Sequence, residues 1–220
     1  MFAAILSWSC AASAEIINGT TYLDGVTVSG YSSQVNDVGW GLRAADNTIN
    51  GSGLTAGTGV HNAATTDMWM IIGDANTNAG IGYDGISPDR AGQAGESYII
   101  YDLGAQYDLT GIHVWNHGES PQIYGVDLVN IAASADLTFG SGTSFNLTIA
   151  PATNNTGEDV AFTASGVRYV RFDIQSNHGG AWNLTGLSEV RFETPVVPEP
   201  ATLCLMGLGA IGFIVRRKRR

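Results

Sequence analysis

Apolar residues in the second half of this chain recur at two-residue spacing. In Val167 to Ile174, Val170, Phe172 and Ile174 share one face, while Tyr169, Arg171 and Asp173 share the other. That alternation is the pattern of a half-buried β-strand. Val126 to Ala132 alternates too, which predicts Val126 and Leu128 on one face and Val129 and Ile131 on the other. Tyr98-Ile99-Ile100-Tyr101-Asp102-Leu103-Gly104 reads as a strand apolar on both faces, as in the middle of a sandwich. Gly111 to Trp115 and Leu187 to Phe192 predict two more strands, and Phe139 to Ile149 a hairpin region. Upstream, Ile16 to Tyr31 alternates loosely and predicts the first strands, and Met68 to Ile72 another. Asn36 to Asp89 is otherwise the least regular part, and Asp74 to Gly95, rich in Gly and Asn, predicts a long loop. There is no amphipathic helical pattern and no repeat at a fixed period. Short strands separated by turn signals predict an all-β sandwich.

The two ends have a different character. Residues 1–14 predict a signal peptide: Phe2 to Leu6 is apolar, and Ala12-Ser13-Ala14 gives small residues ahead of a cleavage point before Glu15. The other end reads Pro198-Glu199-Pro200, an apolar run over Ala201 to Val215, and Arg216-Arg217-Lys218-Arg219-Arg220. The run is shorter than the ~20 residues that span a hydrocarbon core comfortably, and arginine snorkelling extends its reach. It predicts a short transmembrane helix with its basic end in the cytoplasm and the preceding chain outside.

The order of these three features resembles the PEP-CTERM sorting signal of bacterial surface proteins. The resemblance implies that an exosortase, a membrane transpeptidase-like enzyme, recognises the signal and cuts near Pro198, Glu199 and Pro200. It implies an exported protein, anchored by its C-terminus before processing and then delivered to the cell surface or extracellular matrix. The organisation expected is a signal peptide (1–14), a sandwich domain (15–193), a linker (194–200), the membrane segment (201–215) and a basic end (216–220).

Composition narrows the partners. From Glu15 to Val197 there are 5 Arg, no Lys and 19 Asp or Glu, a balance of −14. Such a surface repels phosphate backbones, so no nucleic-acid partner is expected. The two cysteines, Cys10 and Cys204, lie in the apolar ends, which excludes a disulfide framework or a cysteine zinc site from the domain. No Gly-x-Ser-x-Gly, His-Glu-x-x-His or P-loop signature is present. A glycosidase needs only two carboxylates at the right separation, which sequence does not give. The expectation is nevertheless a non-catalytic protein.

A second resemblance rests on Tyr98 to Gly104, Ile112-His113-Val114-Trp115, Arg168 to Phe172 and Leu187 to Phe192. In this order, over about residues 44–193, they resemble the discoidin-like (F5/8 type C, galactose-binding-like) domain. The resemblance implies a jelly-roll β-sandwich whose loops at one end bind glycans, lipids or proteins. It also implies a structural calcium ion held by an early loop and a late glutamate. Here Asp46, Asn47 and Asn50 would belong to the loop, and Glu189 would be the distal acid. Calcium needs six to eight hard oxygens, and a Gly-containing turn supplies several. The alternative is an ordinary turn with an exposed Glu.

For ligand binding, alternation places His113, Trp115 and His117 together. They suit a sugar-binding face, a zinc half-site lacking its third ligand, or a partly buried aromatic flanked by two satisfied histidines. Arg171, His178 and Trp182 are weighed in the same way; His178 is in a loop directly after a strand. The function expected is carbohydrate binding or adhesion, with an extracellular polysaccharide as partner. The alternatives are a structural matrix protein without a discrete ligand and, third, a glycan-acting hydrolase.

Overall fold

The computed structural model describes residues 14–17, 20–32, 34–37, 41–55, 58–62, 64–72, 97–120, 122–140, 142–148, 156–179 and 184–195. Most of the expected signal peptide, the loop at 74–95, Trp182, the Pro-Glu-Pro motif and the membrane segment lie outside them. No helix among the described residues is long and apolar enough to cross a membrane.

Among the described residues, fifteen strands follow in chain order. They are β1 (Ala14–Ile17), β2 (Thr20–Leu23), β3 (Thr27–Tyr31), β4 (Val35–Asp37), β5 (Gly41–Arg43), β6 (Leu54–Thr55), β7 (Val60–His61) and β8 (Trp69–Ile72). Then come β9 (Ser97–Leu109), β10 (Gly111–Asn116), β11 (Leu128–Ser134), β12 (Thr143–Asn146), β13 (Glu158–Val160), β14 (Ala164–Ile174) and β15 (Leu184–Glu193). One sheet runs β1-β2-β15-β10-β13, with β8 also on β15; the other runs β12-β11-β14-β9-β3. All of these strand pairings are antiparallel. The protein is an all-β, two-sheet antiparallel sandwich.

The inner faces follow the period-two pattern. Ile99, Tyr101 and Leu103 of β9, Val170, Phe172 and Ile174 of β14, and Val129 and Ile131 of β11 meet Ile112, Val114, Val190 and Phe192 of the opposite sheet. Tyr101 lies edge-to-face between Phe172 and Phe192, with centroids 5.5 and 5.3 Å away, a favoured aromatic geometry. Two expectations need correcting. Strand β9 is not apolar-buried on both faces: Tyr98, Ile100 and Asp102 are only half-buried, because the second layer covers the other sheet. Val126 is not beside Leu128 on a strand face. It precedes β11 in an isolated bridge to Asn177 and turns into the core, while Leu128 stays half-buried.

The irregular early segment provides that second layer. It forms two small hairpins, β4–β5 and β6–β7, and the 3-10 turns Ala45–Thr48 and Thr65–Asp67. Val35 packs with Met70 and Leu184, and Leu54 packs with Ile17, Tyr22 and Trp115, both on the outer side of the first sheet. The Trp115 indole N–H donates to Gly59 O at 2.9 Å. Side chains of β8, β10 and β15 that point away from the sandwich core are therefore buried as well.

Candidate functional site

Strands β8, β10, β12 and β14 all end at the same end of the sandwich, where Ser97 pairs with Ile174 and Leu184 with Ile72. The described residues of the connections that follow them, 117–120, 122–127, 147–148 and 175–179, lie there. Buried polar side chains tie these connections together. Asn116 Nδ2 donates to Val126 O (2.7 Å) and Thr148 O (3.1 Å), and its Oδ1 accepts from the backbone N–H groups of His117 and Val126. Ser188 Oγ donates to Asn116 O at 2.9 Å. Asn177 Nδ2 donates to Leu184 O at 2.8 Å, and Ser176 Oγ to Asp127 Oδ2 at 3.0 Å.

At this end, three charged or titratable side chains converge from two segments far apart in the chain. Arg43 of β5 is buried and donates from Nη1 to Glu119 Oε2 at 3.0 Å. His117 Nε2 lies 3.7 Å from the same oxygen. His117 is fully buried against the edge of the Tyr124 ring, centroid distance 5.9 Å. It fits there because residue 186 is glycine: a Cβ at that position would come within 2.4 Å of the imidazole. Glu119 is 29% exposed. Burial works to raise its pKa, but His117 and Arg43 together outweigh it and hold the carboxyl below its usual range. The result is an ionised, part-exposed carboxylate, anchored from behind and able to accept hydrogen bonds from outside.

The other expected ligand residues that are described are occupied internally. Trp115 is fully buried, so it has no ring face for a sugar; the second layer over β10, invisible in the strand pattern, is the reason. His113 lies against Trp115 at 4.2 Å and bonds Asp159 Oδ1 and Thr156 O. Arg171 pairs with Asp173 and lies 4.5 Å over the Tyr98 ring, on the outer face of the second sheet. His178 is at the loop-bearing end, with Nε2 2.8 Å from Leu147 O and Nδ1 3.7 Å from Asp127 Oδ1. Of the five expected ligand residues that are described, only His117 joins the Arg43–Glu119 pair. Sequence reasoning missed Arg43 and Glu119, and only their rarity in an arginine-poor chain could have marked Arg43.

The expected calcium loop and the distal acid do meet. Gly51 N–H donates to Glu189 Oε1 at 3.3 Å. Glu189 is completely buried, which corrects the picture of an exposed acid. Burial pushes its carboxyl up to about 8, with Arg191 pulling the other way. The loop side chains are used locally: Asn50 Oδ1 accepts from Ser52 N–H at 2.8 Å, Asn47 Nδ2 donates to Thr66 O and Met68 O, and Asp46 is exposed. No group of three or more His, Cys, Asp or Glu side chains converges on a metal position among the described residues.

Comparison with known proteins bears on both ends of the problem. Residues 196–220 match the PEP-CTERM protein-sorting motif. The C-terminal end of the chain carries a PEP-CTERM sorting motif. That motif implies export, exosortase processing and C-terminal sorting to the cell surface. No curated protein matches the chain in sequence. Among solved structures, the sandwich is similar to the third CBM32 module of a family 31 glycoside hydrolase from Clostridium perfringens. The TM-score is 0.52 at 16% identity, over 77% of this chain and 91% of that one. It is also similar to the C-terminal domain of a Bacteroides fragilis chitobiase (TM-score 0.49, 16% identity, 79% and 95% covered). An F5/8 type C domain from Bacteroides fragilis follows (TM-score 0.47, 15% identity, 79% and 100% covered). The likeness to the Clostridium perfringens CBM32 module concerns the sandwich fold alone.

Proposed function

We propose that this is a bacterial surface or matrix protein whose sandwich binds carbohydrate without catalysis, through the loop-bearing end at Glu119. The observation that supports the reading is the anchored carboxylate: Glu119 is part-exposed, ionised, and held by the buried Arg43 with His117 behind it. A carboxylate accepts from neighbouring sugar hydroxyls, and a fixed guanidinium keeps it from turning away. The sandwich likeness is consistent with this but concerns fold, and fold alone does not assign function. In this reading the PEP-CTERM signal inserts the chain transiently in the membrane, and an exosortase then releases the domain towards an extracellular polysaccharide.

The test is a glycan array followed by titration, with the full chain in detergent. Glu119→Ala is expected to weaken saturable binding at least about tenfold, the loss of one charged hydrogen bond. Unchanged affinity in that variant would remove Glu119 from the site. One observation favours a second reading, a structural matrix protein: His113, Trp115, Arg171 and His178 are all engaged in intramolecular contacts. Absence of saturable binding to any glycan by the parent chain would select it.

A further inference from the structure

The contact between the 46–51 loop and Glu189 has a third member that the strand pattern hides. Arg191, two residues along β15 and on the same side as Glu189, is 7% exposed. Its Nη2 lies 3.0 Å from Glu189 Oε1, and its Nη1 donates to Ile49 O. Its Nε is 3.5 Å from Glu15 Oε2 on β1. The guanidinium thus touches a loop carbonyl and the distal carboxylate, the two kinds of oxygen that the discoidin-like pattern would give to a cation.

Calcium does not fit what remains. It needs six to eight oxygens converging at about 2.3–2.6 Å. Ile49 O is taken by Arg191, Asp46 O accepts from the N–H groups of Ile49 and Asn50, and Gly51 O accepts from Leu54 N–H. Asn50 Oδ1 is taken by Ser52, and Asp46 is exposed. Glu189 Oε2 is left without a hydrogen-bond partner among the described residues, but one oxygen is not a coordination shell. A divalent ion beside Glu189 would also face the fixed positive charge of Arg191 in a buried, weakly screened position. Gly51, at φ +77°, lets the loop pass close to the guanidinium: a Cβ there would meet Nη2 at 3.3 Å.

We propose that Arg191 replaces the loop cation in this chain, pinning the 46–51 loop and strand β1 to β15, so that the domain needs no calcium. A planar guanidinium suits the role because it can donate in several directions at once from a fixed fork, which an ammonium cannot.

Thermal unfolding of the full chain in detergent tests this, in about 10 mM calcium and in chelator. That concentration is well above the ~10⁻³ M dissociation constants of weak extracellular sites. The expected result is the same Tm in both. Arg191→Met, which keeps bulk and removes charge, is expected to lower Tm by about 5 °C or more. Should Arg191→Met fail to fold, Arg191→Lys serves instead: it keeps the charge but cannot bridge Ile49 O and Glu189, and a smaller drop is expected. A Tm of the parent chain that rises with calcium, as linkage to a bound ion requires, overturns the proposal. So does an Arg191→Met or Arg191→Lys chain as stable as the parent. Neither result depends on whether Glu119 binds a glycan.

Discussion

At the scale of single residues, burial of titratable groups sets how the domain responds to pH. His61 is 2% exposed, with Nδ1 2.7 Å from Asn62 O and no partner for Nε2 among the described residues. Burial is the main cause that lowers its basicity below the usual 6.5. With the folded-state value depressed, the unfolded chain binds the proton first as pH falls. The stability this neutral imidazole contributes is therefore fully present above 6.5 and is lost progressively below it. A series of unfolding midpoints from pH 7.5 to 5 should fall, and His61→Gln should flatten that slope. An identical slope in the variant would assign the effect to other groups. Glu119 is the contrasting case, a part-buried acid whose carboxyl is held below its usual range by its neighbours His117 and Arg43.

At the scale of elements, the loop-bearing end is held by few side chains, each satisfying several backbone groups. Asn116 closes β10 and bonds the chain at His117, Val126 and Thr148. Replacing it with alanine leaves buried N–H and C=O groups unpaired, at about 1–3 kcal/mol each. Asn116→Ala should therefore cost about 3 kcal/mol or more in denaturant unfolding, far above an ordinary surface substitution. A cost under about 1 kcal/mol would mean that water replaces the bonds. The strands were largely legible before the structure, because Val170, Phe172, Ile174, Val129 and Ile131 announce their inward face by alternation. The hairpins β4–β5 and β6–β7 were not. They have two or three residues per strand, too few for a period, and are held mainly by what they cover.

At the scale of the whole molecule, sorting and folding reside in separate parts of the chain. The motif at 196–220 begins after β15 ends at Glu193. Every strand pairing among the described residues lies upstream of it. Deleting 196–220 should leave the thermal transition of the sandwich unchanged while abolishing surface sorting, measured by fractionating cells that encode an exosortase. Loss of the folded transition in the truncated chain would show that the tail contributes to the domain.

The main strand positions and the sorting motif were determined by sequence, because each depends on local periodicity or on residue order, whereas the meeting of an early loop with Glu189 was implied only by the discoidin-like resemblance. Alternation also showed that β10 and β15 have a second face, but not whether that face meets water or protein. Only the tertiary structure decided that the hairpins β4–β5 and β6–β7 cover it. That covering buries Trp115, carries Arg43 to Glu119 across 76 positions of chain, and brings the Ile49 carbonyl to Arg191 across 142. The physical reason is that such contacts form between segments with no local signal for each other. They are selected by the apolar area and the paired charge that become buried when the whole chain closes.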